Sequence, residues 1–278
     1  MKRIPTAVSD LDGIVEGGLP AGSTVLLLGE LGAGNTEFAY TSAAKIILAK
    51  LQPERIENLL GYSYRKSTLP ENVFYVSFSR SKEDVLNEIE NAFAKELFEA
   101  IRDHVGFKDF SREYFSGSVV PASWSGVDLK ESLFGSEGEK KELLSAFAEY
   151  IGSLPENSMI IVDSLTDLMV NQKINEMDII MMLKGLQRLS KKKGGIVYFL
   201  LSEGIVDSRM EHMIVDSVDG VLSFTWSKHE RSSNRSRYLH VEKFTSLFPH
   251  LRRSGIGKFT TTVDHETGYT VINMERIS

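Results

Sequence analysis

The stretch VLLLGELGAGNTEFA, residues 25–39, decides how this sequence folds. It begins as an apolar run typical of a buried strand, passes through a glycine-rich turn and continues as a helical pattern. Gly29, Gly34 and Thr36 have the spacing of the phosphate-binding pattern G-x-x-x-x-G-K-[ST], in which backbone N–H groups and a helix N-terminus surround a phosphate. Asn35 stands where that pattern has its lysine. The stretch therefore predicts a nucleotide-binding architecture that lacks the cation for the outer phosphates.

Composition excludes several classes of protein. The chain has 278 residues, a formal net charge of −6 and a pI of about 5.6, so bulk attraction to nucleic acid or to anionic membrane is not expected. It contains no cysteine, which excludes disulfides and cysteine-ligated zinc. No apolar run approaches the roughly 20 residues of a membrane span, and no signal-peptide pattern opens the sequence. We therefore expect a cytoplasmic protein with no membrane partner.

Strands and helices alternate along most of the chain, which predicts a parallel sheet with helices on both faces. One long amphipathic helix is predicted from Val85 to Ile101, and the final strands are predicted to be antiparallel. The predicted strands are Thr24–Leu28, Val73–Phe78, Ser118–Pro121, Met159–Val162, Ile196–Leu201, Gly220–Trp226, Tyr238–Phe244, Lys258–Val263 and Tyr269–Met274. The other predicted helices are Thr36–Leu51, Arg55–Leu60, Glu139–Ile151 and Met177–Leu189.

Two insertions interrupt this alternation. Residues 52–70 are polar, and residues 107–138 are irregular and rich in serine and glycine. Neither insertion has the character of a linker between domains, and no internal repeat is present. We therefore expect residues 1–278 to form a single domain.

An ordered series of short motifs spans nearly the whole chain apart from the two insertions. Its members are Leu11-Asp12, Gly17-Gly18-Leu19-Pro20, Gly22-Ser23, the loop at Gly29, Tyr75-Val76-Ser77-Phe78, Ile161-Val162-Asp163-Ser164, Leu200-Leu201-Ser202-Glu203, Asp219-Gly220-Val221 and Val241-Glu242-Lys243. This series resembles the KaiC-like ATPases, relatives of RecA and RadA. The resemblance implies an α/β, RecA-like P-loop NTPase fold: a mostly parallel twisted sheet, helices on both faces, and antiparallel strands at the C-terminal end.

The resemblance also implies a site for ATP and magnesium at the interfaces between ring subunits. Magnesium would be held by Thr36 and Asp163. The residues implied for nucleotide binding are Gly29, Glu30, Gly32, Ala33, Gly34, Asn35, Thr36 and Asp163. A different interpretation of Asp163 is that it accepts a hydrogen bond from Thr36 and closes an empty site.

Three groups that perform the family's chemistry are replaced. The loop lysine is Asn35, the pair of glutamates after the second strand is Ser79-Arg80, and the K-x-R finger reads Lys243-Phe244-Thr245. Glu37 adds a negative charge beside the loop. These changes predict no catalytic residue and weak or absent binding of ATP with magnesium. Arg80 either replaces the missing loop cation or forms a surface ion pair.

The segment 228–258 is the most basic part of this acidic chain. Its charged residues are Lys228, Glu230, Arg231, Arg235, Arg237, Glu242, Lys243, Arg252, Arg253 and Lys258. The segment is interpreted as a contact surface for nucleic acid, for an acidic protein or peptide, or for the chain's own acidic face in a homo-oligomer. A solvated hairpin is the alternative.

Two classes of function remain open. The first is a regulatory or binding module for a protein, peptide or nucleic-acid partner, which joins homo-oligomers or mixed rings with KaiC-like relatives. The second is an ATP-binding protein with weak ATPase activity, its nucleotide bound between subunits.

Overall fold

A computed structural model describes residues 2–121, 124, 143–227, 235–244 and 257–276. Two short strands, β1 (Arg3–Ile4) and β2 (Leu19–Pro20), pair with each other in an antiparallel ribbon. The other strands of the described residues form one nine-stranded sheet. They are β3 (Ser23–Gly29), β4 (Asn72–Ser77), β5 (Val105–Asp109), β6 (Ser158–Asp163), β7 (Ile196–Ser202), β8 (Gly220–Trp226), β9 (Arg237–Phe244), β10 (Gly257–Asp264) and β11 (Gly268–Arg276).

The sheet order is β11-β10-β9-β8-β3-β7-β6-β4-β5. Every pairing from β8 through β3 to β5 is parallel, whereas β8, β9, β10 and β11 pair antiparallel in succession. The predicted α/β class with C-terminal antiparallel strands is therefore confirmed. One detail differs, because β8 was expected among the antiparallel strands and instead lies parallel to β3 on one side.

Helices cover both faces of the sheet. The side chains of β3 alternate between two hydrophobic clusters: Val25 and Leu27 face one, Leu26 and Leu28 the other. The helices are α1 (Ser9–Ile14), α2 (Asn35–Leu51), α3 (Ile56–Leu60), α4 (Lys82–Ala92), α5 (Lys95–His104), α6 (Ser111–Phe115), α7 (Leu143–Ser153), α8 (Leu165–Val170), α9 (Glu176–Lys193) and α10 (Ser208–Asp216). None of them is long and apolar enough to cross a membrane.

The first turns of α2 are anchored by an aromatic cluster around Phe38. Its ring is fully buried, and its centroid lies 5.9 Å from that of Tyr198, 5.4 Å from that of Phe224 and 5.5 Å from that of Tyr269. These partners lie on β7, β8 and β11. Burial of such large apolar groups fixes α2, and therefore the loop before it, against the sheet.

The single helix predicted from Val85 to Ile101 is wrong, because the segment forms α4 and α5 with a break between them. Phe93 is extended, with φ −126° and ψ 155°, and its side chain is buried. The backbone N–H of Ala94 donates to the carbonyl oxygen of His265 at 2.8 Å instead of continuing the helix. A tertiary contact therefore ends α4 where the hydrophobic spacing gives no signal.

The insertions are only partly as expected. The helix predicted at Arg55–Leu60 is present as a 3₁₀ turn, Pro53–Arg55, followed by α3. The strand predicted at Ser118–Pro121 is wrong, since these residues form bends. The actual strand is β5, a half-buried strand at the edge of the sheet as described, where it pairs with β4. Residues 125–138 of the second insertion and the predicted helix start at 139–142 lie outside the described residues.

Candidate functional site

The loop between β3 and α2 contains backbone N–H groups that the described residues leave free to bind a ligand. Gly32 and Gly34 adopt positive φ angles of 72° and 109°, which glycine tolerates at little cost. The N–H of Ala33 donates to the carbonyl oxygen of Glu30 at 2.9 Å, and the Ala33 side chain is buried. The N–H groups of Gly32 and Gly34 have no hydrogen-bond partner among the described residues. Unpaired N–H groups beside a helix N-terminus form a surface that favours an anion.

Asn35 occupies the base of this loop. Its Nδ2 donates to the carbonyl oxygen of Leu27 at 3.3 Å. The amide lies so close to Gly29 that a Cβ there would be 2.6 Å from the Asn35 Cγ. The neutral side chain therefore fills the space under the loop, and it brings no positive charge to the anion-favouring side.

Residues of the C-terminal strands hold the loop from outside. The Trp226 backbone N–H donates to Glu30 Oε2 at 3.1 Å, and its indole Nε1 donates to the carbonyl oxygen of Leu31 at 3.0 Å. Arg237 Nε donates to the carbonyl oxygen of Gly32 at 3.1 Å, and its guanidinium lies 4.6 Å from the centroid of the Trp226 ring. The loop is thus fixed from outside by β8 and β9.

A cleft of about 180 Å³ opens between the loop and the carboxyl ends of β6 and β7. This is smaller than the roughly 300–1,000 Å³ usual for small-molecule sites. Thr36, Asp163 and Ser202 all line it, whereas Ser79 does not. Its lining residues are Gly29, Glu30, Leu31, Gly32, Asn35, Thr36, Asp163, Ser164, Thr166, Leu200, Leu201 and Ser202.

The Asp163 carboxylate is already engaged. Its Oδ2 accepts a hydrogen bond from the Tyr75 hydroxyl and lies 3.4 Å from Arg80 Nη1. The Tyr75 hydroxyl in turn lies 3.3 Å from that of Tyr40. Burial raises the pKa of Asp163, and the Tyr75 hydrogen bond and the Arg80 charge oppose that rise. No hydrogen bond joins Thr36 to Asp163 within the described part of the chain, so the expected closing contact is absent.

Ser79 and Arg80 have structural partners. The Ser79 hydroxyl donates to Asp167 Oδ2 at 2.9 Å, and burial raises the pKa of Asp167. Arg80 forms a second ion pair with Glu88 on α4. Arg80 was expected either to replace the missing loop cation or to form a surface ion pair. It forms the surface ion pair with the exposed Glu88, and it also contacts the buried Asp163.

Lys243, the first residue of the expected finger motif, caps a helix of its own chain. Its Nζ donates to the carbonyl oxygens of Val215 and Val218 at 2.6 and 2.7 Å, at the C-terminus of α10. A cation at this position stabilises the negative end of the helix. Thr245 lies outside the described residues.

Most of the basic segment 228–258 also lies outside them, namely 228–234 and 245–256. Three of its described cations have partners within the fold: Arg237 at the loop, Lys243 at α10, and Lys258, whose Nζ lies 3.4 Å from the Tyr238 ring centroid. Those three side chains are therefore part of the fold's own contacts.

Several residues around the site were missed as contributors to it. Tyr75 was noted only as part of a motif, and Glu88, Asp167, Trp226 and Tyr269 were given no role. A tyrosine in a buried strand, as at Tyr75 and Tyr269, could have signalled a polar contact, since a buried tyrosine hydroxyl needs a partner. Glu88, Asp167 and Trp226 carry no such signal.

No family model and no curated protein matches this sequence. Among solved structures, a KaiC-like protein from the hyperthermophilic archaeon Pyrococcus horikoshii is similar, with a TM-score of 0.64 and 18% identity over 98% of this chain and 99% of that one. The flagellar accessory protein FlaH from Methanocaldococcus jannaschii is also similar, with a TM-score of 0.58 and 15% identity over 96% of each chain. The chain therefore has the RecA-like fold of KaiC-like proteins, as its ordered motifs predict.

Proposed function

We propose that this chain is a catalytically degenerate RecA-fold protein, a pseudo-ATPase that acts as a regulatory or binding module. The observation that carries the proposal is that Ser79 and Arg80, which replace the pair of glutamates implied by the resemblance, are both bound to other side chains. The Ser79 hydroxyl is bound to Asp167, and the Arg80 guanidinium is tied to Asp163 and Glu88. A serine hydroxyl does not deprotonate water at neutral pH, and arginine is permanently charged. Neither serves as a general base.

The other two replaced positions support the same proposal. Asn35 turns its neutral amide toward Gly29 and Leu27. A charge-assisted hydrogen bond to phosphate contributes about 1.5–3 kcal/mol, so its loss lowers affinity by roughly one to two decades. The Lys243 ammonium donates to backbone carbonyl oxygens at the C-terminus of α10 in its own chain. An arginine finger alone contributes about 10³–10⁵ in rate, so its replacement removes most of any residual turnover.

The alternative is an ATP-binding protein with weak ATPase activity and nucleotide at subunit interfaces. Two observations favour it. The N–H groups of Gly32 and Gly34 have no partner within the described chain, so the loop keeps its anion-favouring backbone. Asp167, whose pKa is raised by burial, is a carboxylate close to the cleft residue Thr166. A buried carboxylate of this kind is a candidate base.

The partner is proposed by class only. A protein or peptide is favoured over nucleic acid, because the chain is acidic and three of the four described cations of the segment 228–258, Arg237, Lys243 and Lys258, are engaged within the fold. Leu31, 86% exposed at the loop tip beside Trp226, is an apolar side chain open to such a partner. A homo-oligomer or a mixed ring with KaiC-like relatives is the assembly that the resemblance implies.

Calorimetry and turnover assays on nucleotide-free protein test the proposal. We expect weak or undetectable binding of ATP with magnesium, and phosphate release at saturating ATP equal to that of a Thr36→Ala control. Asn35→Lys should raise ATP affinity about 10- to 100-fold without turnover, because the base is still missing. Low-micromolar affinity of the unaltered chain would contradict weak binding, and turnover above the Thr36→Ala control would favour the enzyme.

A further inference from the structure

We propose that the guanidinium of Arg80 is the resident cation of Asp163, in the place where the fold implies magnesium, so that this site works without a divalent metal. The inference rests on the proposed function, because it explains how a degenerate site keeps its buried carboxylate. It goes beyond that function by assigning Arg80 the charge-balancing role that the resemblance gives to a metal ion.

The residues present do not fit magnesium. Mg²⁺ requires near-octahedral oxygen ligands at about 2.0–2.1 Å and keeps several waters. The resemblance assigns it to Thr36 and Asp163, yet Asp163 Oδ2 is shared by the Tyr75 hydroxyl and by Arg80. The Asp163 side chain is only 12% exposed, so little of its carboxylate surface faces the cleft where a hydrated ion would bind. A second cation at this oxygen would also face the fixed charge of Arg80.

Arg80 is held in place by contacts on both sides. Its backbone N–H donates to Ser77 Oγ at 3.1 Å, at the end of β4. Its two Nη atoms reach different carboxylates, Asp163 at the end of β6 and Glu88 on α4. The planar guanidinium suits such a bridge, because its donors diverge in fixed directions and its charge does not titrate. The side chain therefore joins β6 and α4 through one cation, while the backbone of Arg80 is held at the end of β4.

Removing Arg80 should leave a carboxylate site in need of a cation. Asp163 would stay buried with its charge uncompensated, with Glu88 and Asp167 nearby as further acidic groups. Breaking a buried ion pair by deleting one partner is strongly destabilising for this reason. A divalent ion from solution can then supply the missing charge, and binding to the folded state alone raises its stability with ion concentration.

Thermal unfolding of the full chain, with EDTA and then with increasing magnesium chloride or manganese chloride alone, tests the inference. We expect the Tm of the unaltered chain to change by less than about 1 °C with either metal. Arg80→Gln should lower the Tm in EDTA by about 5 °C or more, and millimolar metal should recover part of that loss. The matched Arg80→Lys variant keeps a cation and should stay independent of metal. The double variant Arg80→Gln, Asp163→Asn should lose the recovery.

Two results would overturn the inference: a metal-dependent Tm in the unaltered chain, or an Arg80→Gln protein that folds and shows no response to metal. If Arg80→Gln does not fold, manganese titration of the unaltered chain by calorimetry decides, since micromolar binding that Asp163→Asn removes contradicts a resident guanidinium, and no binding supports it. None of these measurements contains ATP. Turnover of ATP would therefore refute the proposed function without deciding this question.

Discussion

Replacing Lys243 with methionine distinguishes a structural lysine from a catalytic one. The ammonium donates to Val215 and Val218 carbonyl oxygens at 2.6 and 2.7 Å and lies 3.5 Å from that of Asp216, so it closes the C-terminal turn of α10. Methionine keeps the length and apolar stem of the side chain and removes only the donors and the charge. The variant therefore isolates the cap from the packing of β9.

The expected cost follows from the number and burial of these bonds. A hydrogen bond that involves a charged group contributes about 1.5–3 kcal/mol. The carbonyl of the buried Val218 cannot turn to water, whereas that of the half-buried Val215 recovers part of its loss. We therefore expect Lys243→Met to lower the free energy of unfolding by about 2–4 kcal/mol, which corresponds to a Tm lower by roughly 3–7 °C for a chain of this size.

Differential scanning calorimetry measures this effect, with Lys243→Arg as the control that keeps the charge and should lose less than half as much. ATP turnover and the assembly state are recorded on the same samples. An unchanged Tm in Lys243→Met, together with altered turnover or assembly, would refute the reasoning. Lys243 would then act through a contact other than the C-terminus of α10.

Two further predictions concern a buried acid and the loop. Burial raises the pKa of Asp12 to about 7, so the folded chain binds a proton that the unfolded chain releases near pH 4, and stability should fall by up to about 4 kcal/mol as pH rises from 4 to 7. Urea unfolding at a series of pH values should show that Asp12→Asn loses this pH dependence of the free energy of unfolding, whereas the exposed Asp10→Asn keeps it. The same pH dependence in both variants would contradict the prediction. Trp226→Ala should speed amide exchange about tenfold at Glu30 and Ala33, whose N–H groups are hydrogen-bonded, whereas the exposed Trp124→Ala should leave it unchanged, as measured by mass spectrometry. Unchanged exchange in Trp226→Ala would show that the indole does not hold the loop.

Features set by neighbouring residues could be predicted from the sequence. The change from a buried strand to a helix at the loop is carried by the apolar run before Gly29 and by the glycines that follow it. The helix predicted at Met177–Leu189 is likewise present as α9, which ends at Lys193 because Lys191–Lys193 and Gly194 suit a helix C-terminus. These signals act over a few residues, so local propensity is enough to read them.

Features that depend on distant contacts could not be predicted. Arg80 and Asp163 lie 83 positions apart and meet only because β4 and β6 pair in register at Ser77 and Asp163. The sequence shows both charges but not their distance. The break before α5 likewise depends on the carbonyl of His265, far along the chain from Ala94. The motif series places Arg80 at a catalytic position of the family, but it does not predict the ion pairs with Asp163 and Glu88.

The loop between β3 and α2 is contacted by β11, which lies far along the chain from it. The loop is therefore synthesised long before this partner. The Tyr269 ring lies against Gly34, where a Cβ would be 2.8 Å from it, and the Tyr269 N–H donates to Thr41 Oγ1 across 228 positions. A ribosome that has made residues 1–256 has therefore produced the loop's sequence without β10, β11 or this contact. Closing so long a connection is entropically costly and comes late. A ligand that needs the loop held by this contact therefore binds only after β11 has been made and has paired.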